Sequence, residues 1–278
     1  MNRRQTCSIF LPVVILLLPL HAADEPAPVR TGQGDGIYKT VPGWPSYPAG
    51  KGLGNLHGDL ASDSKGNVYI ATGNTIQIIG PPQVPGMYES VGEYNPTDID
   101  VSSDGRVIIA DGYGKSLVHL YDKDRNYLKS FGGKGKGEAQ FDVCHNILVD
   151  SRGKKSTLLI SDRQNNRLQQ YDMAGNFIRT IDDQLGRPCA ADIHGNLLAV
   201  GELDGRVSLY DKDYKLISRL GDERKARRKA SNRIAPEHWH EGDLIAVHGC
   251  TFDVTGALYA QEWNVHGRVT KYVRVKTP

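Results

Sequence analysis

Histidine carries most of the chemical interest in this sequence. His145 and His248 each stand eight residues ahead of a glycine that closes a D-x-x-G turn, Gly153 and Gly256. His57 stands nine residues ahead of a third such glycine, Gly66. Three neutral imidazoles can hold Zn²⁺ at about 2.0–2.1 Å and leave a fourth position open, where a hydroxyl or carbonyl oxygen is polarised. A tyrosine beside such a metal, as Tyr113 in DGYG would be, could take a proton if the metal lowered its pKa, and an arginine such as Arg163 in DRQNNR could clamp a carboxylate. Side chains alternate along a strand, so the extra residue at His57 turns it away from the other two unless a bulge absorbs it. A structural reading stands beside each of these. Strand histidines often serve as hydrogen-bonded structural residues, Tyr113 could fill a channel, and Arg163 could pair with Asp162 or with a neighbouring repeat. His119, His194, His238, His240 and His266 read as structural or solvated.

Cysteine usage adds little to this set. Cys144 precedes His145 and by alternation faces away from it, as a small buried hydrophobe. Cys250 follows His248 by two residues and is expected to share its face, but no C-x-x-C spacing supports a Cys–His metal site. Removal of an N-terminal leader would take Cys7 with it. Cys144, Cys189 and Cys250 would remain, allowing at most one internal disulfide. Asp111, Asp162, Glu202 and Glu262 recur at the ends of apolar runs. Such carboxylates either bind Ca²⁺ or hold turns, and the turn role is preferred. No G-x-S-x-G, H-E-x-x-H or phosphate-binding glycine loop occurs.

The elements that must position these residues follow from an internal repeat. A short apolar strand, D-x-x-G or a variant of it, a second apolar strand, a Gly/Asn turn and a third strand recur five times: 60–79, 99–122, 147–172, 190–211 and 252–273. MYESVG, NYLKSFG, NFIRTID and YKLISRLG are candidates for fourth strands. Four short strands per forty-odd residues is the signature of a β-propeller blade. The fold expected is therefore an all-β propeller of five or six blades. The last copy lacks a fourth strand, and the early segment GIYKTVP (36–42) can supply it and close the ring. The innermost strands line the central channel, so residues at their starts converge: His57, Thr97, Cys144, His145, Cys189, His248 and Cys250.

The N-terminus carries Arg3 and Arg4, then the apolar run Ile9–Leu20, then HAADEPAP. This pattern predicts a secretory signal peptide over 1–23, cut near Ala22 or Ala23. Twelve apolar residues are too few to span a bilayer, which takes about 20. A flexible arm over 24–35 and a single domain over 36–278 follow, with a long loop at 222–243. Secreted or periplasmic placement, no membrane span after cleavage and a monomer are expected. The 278 residues are 39% hydrophobic and 24% charged, which excludes collagen-like, coiled-coil and wholly disordered classes. A net charge of +2 does not advertise nucleic acid or an anionic membrane. The basic run ERKARRKASNR (223–233) reads as a solvated loop rather than a polyanion patch.

The copies resemble NHL repeats, and beyond that the propellers of peptidyl-α-hydroxyglycine α-amidating lyase. VPGWP (41–45), NPTDIDVSSDGRVIIADGYGKS (95–116), FDVCHNILVD with SDRQNNRLQQYD, and the closing AVHGCTFDVTGALYAQEWNVHGRVTKYVRV carry the resemblance. It implies a six-bladed propeller whose lyase cleaves a hydroxyglycine-extended peptide to a peptide amide and glyoxylate. The family's zinc is held by three histidines. Here His145 and His248 match two of them and His57 is the candidate for the third. Tyr113 and Arg163 match the family's catalytic tyrosine and arginine. The interval between the first two copies, Gly73–Tyr94, is too short for the blade that relatives carry there. That puts the third histidine and the sixth blade in question. The alternative function is a non-catalytic propeller that binds a small molecule, protein, peptide or glycan at its channel. A Ca²⁺-dependent propeller hydrolase would need a ring of Asp, Asn and Glu that is not evident here.

Overall fold

The computed structural model of the chain describes residues 81–221 and 230–275, together with 28, 30–31, 38–41, 60–62 and 68–70. The leader, the 24–27 part of the arm and His57 lie outside the described residues. Among those described, regular structure is β apart from two single-turn 3-10 segments, Val91–Glu93 and Pro236–His238. No helix there is long and apolar enough to cross a membrane.

Each sequence copy forms one antiparallel sheet. The first copy contributes β3 (Leu60–Ser62) and β4 (Val68–Ile70). The second gives β5 (Asp98–Val101), β6 (Val107–Asp111), β7 (Leu117–Tyr121) and β8 (Tyr127–Gly132). The third gives β9 (Cys144–Asp150), β10 (Thr157–Asp162), β11 (Arg167–Asp172) and β12 (Phe177–Asp182). The fourth gives β13 (Pro188–His194), β14 (Leu197–Glu202), β15 (Arg206–Tyr210) and β16 (Leu216–Leu220). The last gives β17 (Val247–Phe252), β18 (Leu258–Glu262) and β19 (Arg268–Arg274). Its fourth strand is the early segment β2 (Tyr38–Thr40), paired Tyr272 to Thr40, with β1 (Arg30–Thr31) beyond it. The expected N-terminal strand is therefore in place in the last sheet. β1 is an extension into the segment expected to be a flexible arm. In the D-x-x-G turns, Gly105 and Gly256 take φ of 84° and 81°, a region open to glycine.

The apolar runs are continuous rather than alternating because both faces of a sheet are covered. On β10, Leu158 and Ile160 pack towards Ile108, Ala110 and Val118 of the second copy. Leu159 between them packs towards Ala191, Leu198 and Val200 of the fourth. Val247, Phe252 and Leu258 then meet Ala199, Val207 and Leu209 of the fourth sheet, with Tyr38 in the same cluster. Burying a side chain of this size is worth about 1.5–3 kcal/mol, and no isolated sheet could bury both faces.

The first strand of each sheet sits beside that of the next, in the order β5, β9, β13, β17, with β3 against β17. Carboxylates fasten them together. Asp98 accepts from Asn146 Nδ2 and Ile147 N, Asp100 from Val149 N, and Asp192 from Thr251 Oγ1 and Phe252 N.

One expected strand is absent. MYESVG (87–92) forms a turn running into the Val91–Glu93 segment. Tyr88 draws it across the second sheet, where its hydroxyl donates to Asp111 at 2.7 Å and meets His119 Nε2 at 2.8 Å.

Candidate functional site

The site is built by a bulge that recurs at the start of the first strand. In the third sheet Cys144 pairs with Asp162 and Asn146 with Ser161, leaving His145 as the extra residue. In the fourth, Pro188 pairs with Glu202 and Ala190 with Gly201, leaving Cys189. In the last, Val247 pairs with Glu262 and Gly249 with Gln261, leaving His248. The second sheet pairs Asp98 with Ala110, so Thr97 takes the equivalent place, and its Oγ1 donates to the Cys144 carbonyl. A bulge re-aims its extra side chain away from the strand's alternation. Three consecutive sheets thereby direct His145, Cys189 and His248 to one spot.

The carboxylates opposite the bulges hold this geometry. Asp162 accepts from Asp142 N, Asn165 Nδ2 and Arg167 Nε at 2.7–2.8 Å. Glu202 accepts from Gly186 N, Arg206 Nε and Ser208 Oγ. Glu262 accepts from Ile245 N and Ala246 N and pairs with Arg268. Asp111 accepts from Asn95 N, Lys115 N and Tyr88. Each ties the loop leading into its sheet to the turn leaving its second strand, which is the turn role read from the sequence. Burial pushes the Asp111, Asp162 and Glu202 carboxyls up, against the opposing pull of their hydrogen-bond donors. The backbone is also constrained two residues before two of the bulges. Val143 and Arg187 adopt φ of 63° and 56°, a conformation costly for a side chain branched at Cβ such as Val143.

One ligand atom each from His145, Cys189 and His248 lies within 4.8 Å of the other two. All three side chains are buried, at 4%, 0% and 5% exposure. The two imidazole rings stand edge to face with centroids 4.7 Å apart. His145 Nδ1 lies 2.9 Å from the Cys189 carbonyl, which can only accept. Nδ1 therefore carries the proton and Nε2 the lone pair. Tyr113 Oη sits 3.0 Å from that Nε2 and donates to it, while Arg163 Nη1 donates to Tyr113 Oη at 2.8 Å. The guanidinium lies over the Tyr113 ring, 5.1 Å from its centroid. Arg163 Nε is buried with no hydrogen-bond partner among the described residues. Tyr113 is 40% exposed, so a polar rim of Tyr113 and Arg163 stands above a buried floor.

DGYG places Tyr113 through close backbone approach. A Cβ at Gly112 would strike the Cys144 carbonyl, and one at Gly114 the Asp111 carboxylate. The opposite wall is apolar. Cys189 packs with Leu203, Ile245 and Ala246, and with Ile234 and Trp239 from the long loop. Arg268 lies over Trp239 and holds the His240 carbonyl.

His145, His248, Tyr113 and Arg163 are thus brought together as the sequence predicts, and Arg163 meets Tyr113 rather than Asp162, whose partner is Arg167. His57 is outside the described residues. Cys250 does not share a face with His248. The bulge at His248 breaks the alternation, and Cys250 packs into the interface with the fourth sheet, its sulfur 3.9 Å from the Ala199 carbonyl. Cys144 lies in the core, as expected, and no disulfide joins Cys144, Cys189 and Cys250 to one another. Cys189 is among the converging strand starts read from the sequence, but its spacing does not mark it as equivalent to the two histidines. It stands six residues before Gly195, against eight for either histidine, because its first hairpin turns more tightly.

No protein-family model matches the chain. NHL repeat-containing protein 3 of Homo sapiens is 31% identical over 108 residues, 37% of this chain and 30% of that protein. The probable peptidyl-alpha-hydroxyglycine alpha-amidating lyase pgal-1 of Caenorhabditis elegans is 25% identical over 149 residues, 52% of this chain and 41% of that protein. The chain spans less than half the length of either relative. Among solved structures, virginiamycin B lyase from Staphylococcus aureus superposes with a TM-score of 0.41 at 13% identity, over 67% of this chain and 72% of that one. The WD40 beta propeller domain of Doa1 gives 0.45 at 15%, over 65% and 51%. Over these spans the chain is similar to an NHL repeat-containing protein and to a probable α-amidating lyase.

Proposed function

We propose that this chain is a metal-dependent lyase that cleaves a hydroxyglycine-like carbinolamide to an amide and glyoxylate. The observation that carries the reading is the line Arg163–Tyr113–His145, with His248 against His145. Two buried imidazoles suit a borderline cation such as zinc, and His145 is already oriented by a carbonyl on its other nitrogen. Such a cation, when bound, supplies Lewis-acid polarisation of a substrate oxygen.

The chain's own residues do the rest. The substrate carboxylate docks on the Arg163 guanidinium at the rim of the site. With a cation held on His145 Nε2 in place of the Tyr113 proton, Tyr113 would have released that proton to solvent and would face the carbinol hydroxyl as a phenolate beside the fixed positive charge of Arg163, ready to take the hydroxyl proton. As the C–O bond becomes a carbonyl, the C–N bond breaks and Tyr113 Oη returns that proton to the amide nitrogen. The apolar wall of Ile245, Ala246 and Trp239 keeps water from the cleft. The apolar run at the N-terminus supports action outside the cytoplasm.

Glyoxylate release from α-hydroxyhippurate tests the reading. Zinc-loaded protein should turn it over, and Tyr113→Phe should lose about 10²–10⁴-fold in kcat, the range of a positioned proton acceptor. Zinc-loaded protein that binds the substrate and releases no glyoxylate would leave the non-catalytic binding propeller as the function.

A further inference from the structure

We infer that the Cys189 thiolate is the third protein ligand of the metal site, making it a two-histidine, one-cysteine centre. This rests on the reading of His145 and His248 as a metal-binding pair. Two observations carry it beyond that pair. Cys189 occupies the same bulge, opposite the same clasping carboxylate, as either histidine, and it lies in the sheet between theirs. Its sulfur and one nitrogen from each ring lie within 4.8 Å of one another, all buried.

The donors fit a tetrahedral ion with small adjustments. Zinc bonds of about 2.0–2.1 Å to nitrogen and about 2.3 Å to sulfur place donors roughly 3.3–3.6 Å apart. A contraction of about 1 Å, within side-chain rotation, closes the set around an ion. Three protein ligands leave one position for substrate, as in catalytic zinc sites. The donor set also selects the ion. A thiolate with two imidazoles favours zinc, cobalt or copper over the oxygen-seeking Ca²⁺ and Mg²⁺. No histidine from the first copy is then required. The thiolate also lowers the charge of the loaded centre by one relative to three neutral imidazoles, in an apolar surround of Leu203, Ile245 and Trp239.

Cobalt(II), as a coloured stand-in for zinc, tests this without reference to turnover. Wild-type protein should bind one equivalent and show a thiolate-to-cobalt charge-transfer band in the near ultraviolet. His145→Ala should abolish the band, and His57→Ala should leave it unchanged. Cys189→Ser should lose the band and weaken zinc binding by more than the roughly 100-fold that loss of a mere outer-shell partner costs. Where a variant fails to fold, the wild-type spectrum decides. Cys144 and Cys250 are packed in the inter-sheet cores, away from both histidines, so the band reports Cys189. One equivalent of cobalt without that band overturns the role of Cys189 and leaves the His145–His248 reading standing. No cobalt bound by wild-type protein defeats both.

Discussion

Replacing Asp162 with alanine should remove a large part of the chain's stability and loosen His145 with it. Asp162 is fully buried, and its carboxylate receives one backbone N–H, one amide N–H and one guanidinium N–H. Stranding the part-buried Asp142 N–H costs about 1–3 kcal/mol. Breaking a buried ion pair from one side costs about 3–5 kcal/mol. Arg167 keeps carbonyl acceptors at Lys136, Gly137 and Gln140, so the low end of that range applies. The two together come to about 4–6 kcal/mol, set against a typical total of about 5–15 kcal/mol. Urea denaturation followed by tryptophan fluorescence measures it. The double variant Asp162→Ala with Arg167→Met should cost less than the sum of the single changes by about 1–3 kcal/mol, because the stranded cation is gone. A loss below about 1 kcal/mol for Asp162→Ala, or strict additivity of the pair, would refute the clasp as the origin of the bulge geometry.

Three further outcomes are expected. His119 is buried and its pKa is lowered by desolvation to about 4, so the unfolded chain takes up its proton first as pH falls. Its stabilising contribution is present above about pH 6.5 and is lost between there and pH 4, amounting to about 3 kcal/mol; denaturation curves at pH 7 and pH 4.5 should show most of this, and His119→Gln should flatten it. Asp150 is held below the usual carboxylate range because Arg152 and Tyr214 outweigh its burial, so the stability it lends persists down to about pH 4 and disappears under stronger acid; Asp150→Asn should remove that acid limb from the pH–stability profile. Gly114→Ala should cost about 1–3 kcal/mol by forcing a methyl group into the Asp111 carboxylate, and should displace Tyr113, read as a loss of lyase turnover with zinc binding retained.

The repeat was legible because its signal is local. Apolar runs, D-x-x-G turns and the DGYG and DRQNNR segments give strand order and a sheet per copy, and the need of the last copy for a fourth strand leads directly to Tyr38–Thr40. What escaped was set by features with no local marker. Alternation predicts that Cys250 joins His248, but one extra residue at position 248 reverses it. Counting back to the turn glycine hides the equivalence of Cys189 with His145, since the first hairpin turn takes six residues (151–156) in one sheet and two (195–196) in the other. Counting instead to the carboxylate that ends the second strand, and allowing for the turn, aligns Asp162, Glu202 and Glu262 and with them the bulges. MYESVG has strand-like composition, yet the long-range contacts of Tyr88 with Asp111 and His119 set its path.

The pairing of Tyr38–Thr40 with Tyr272–Arg274 also sets a schedule. During synthesis the early strand appears first and must wait for more than two hundred residues before its partner exists. Contacts so far apart along the chain are slow to form and leave an unpaired edge in the interim. The middle sheets, made of neighbouring hairpins, can assemble as they emerge. The last sheet is then a latch that engages only once both of these distant strands exist. Deleting either Tyr38–Thr40 or Tyr272–Arg274 should release the same sheet, the one that carries His248.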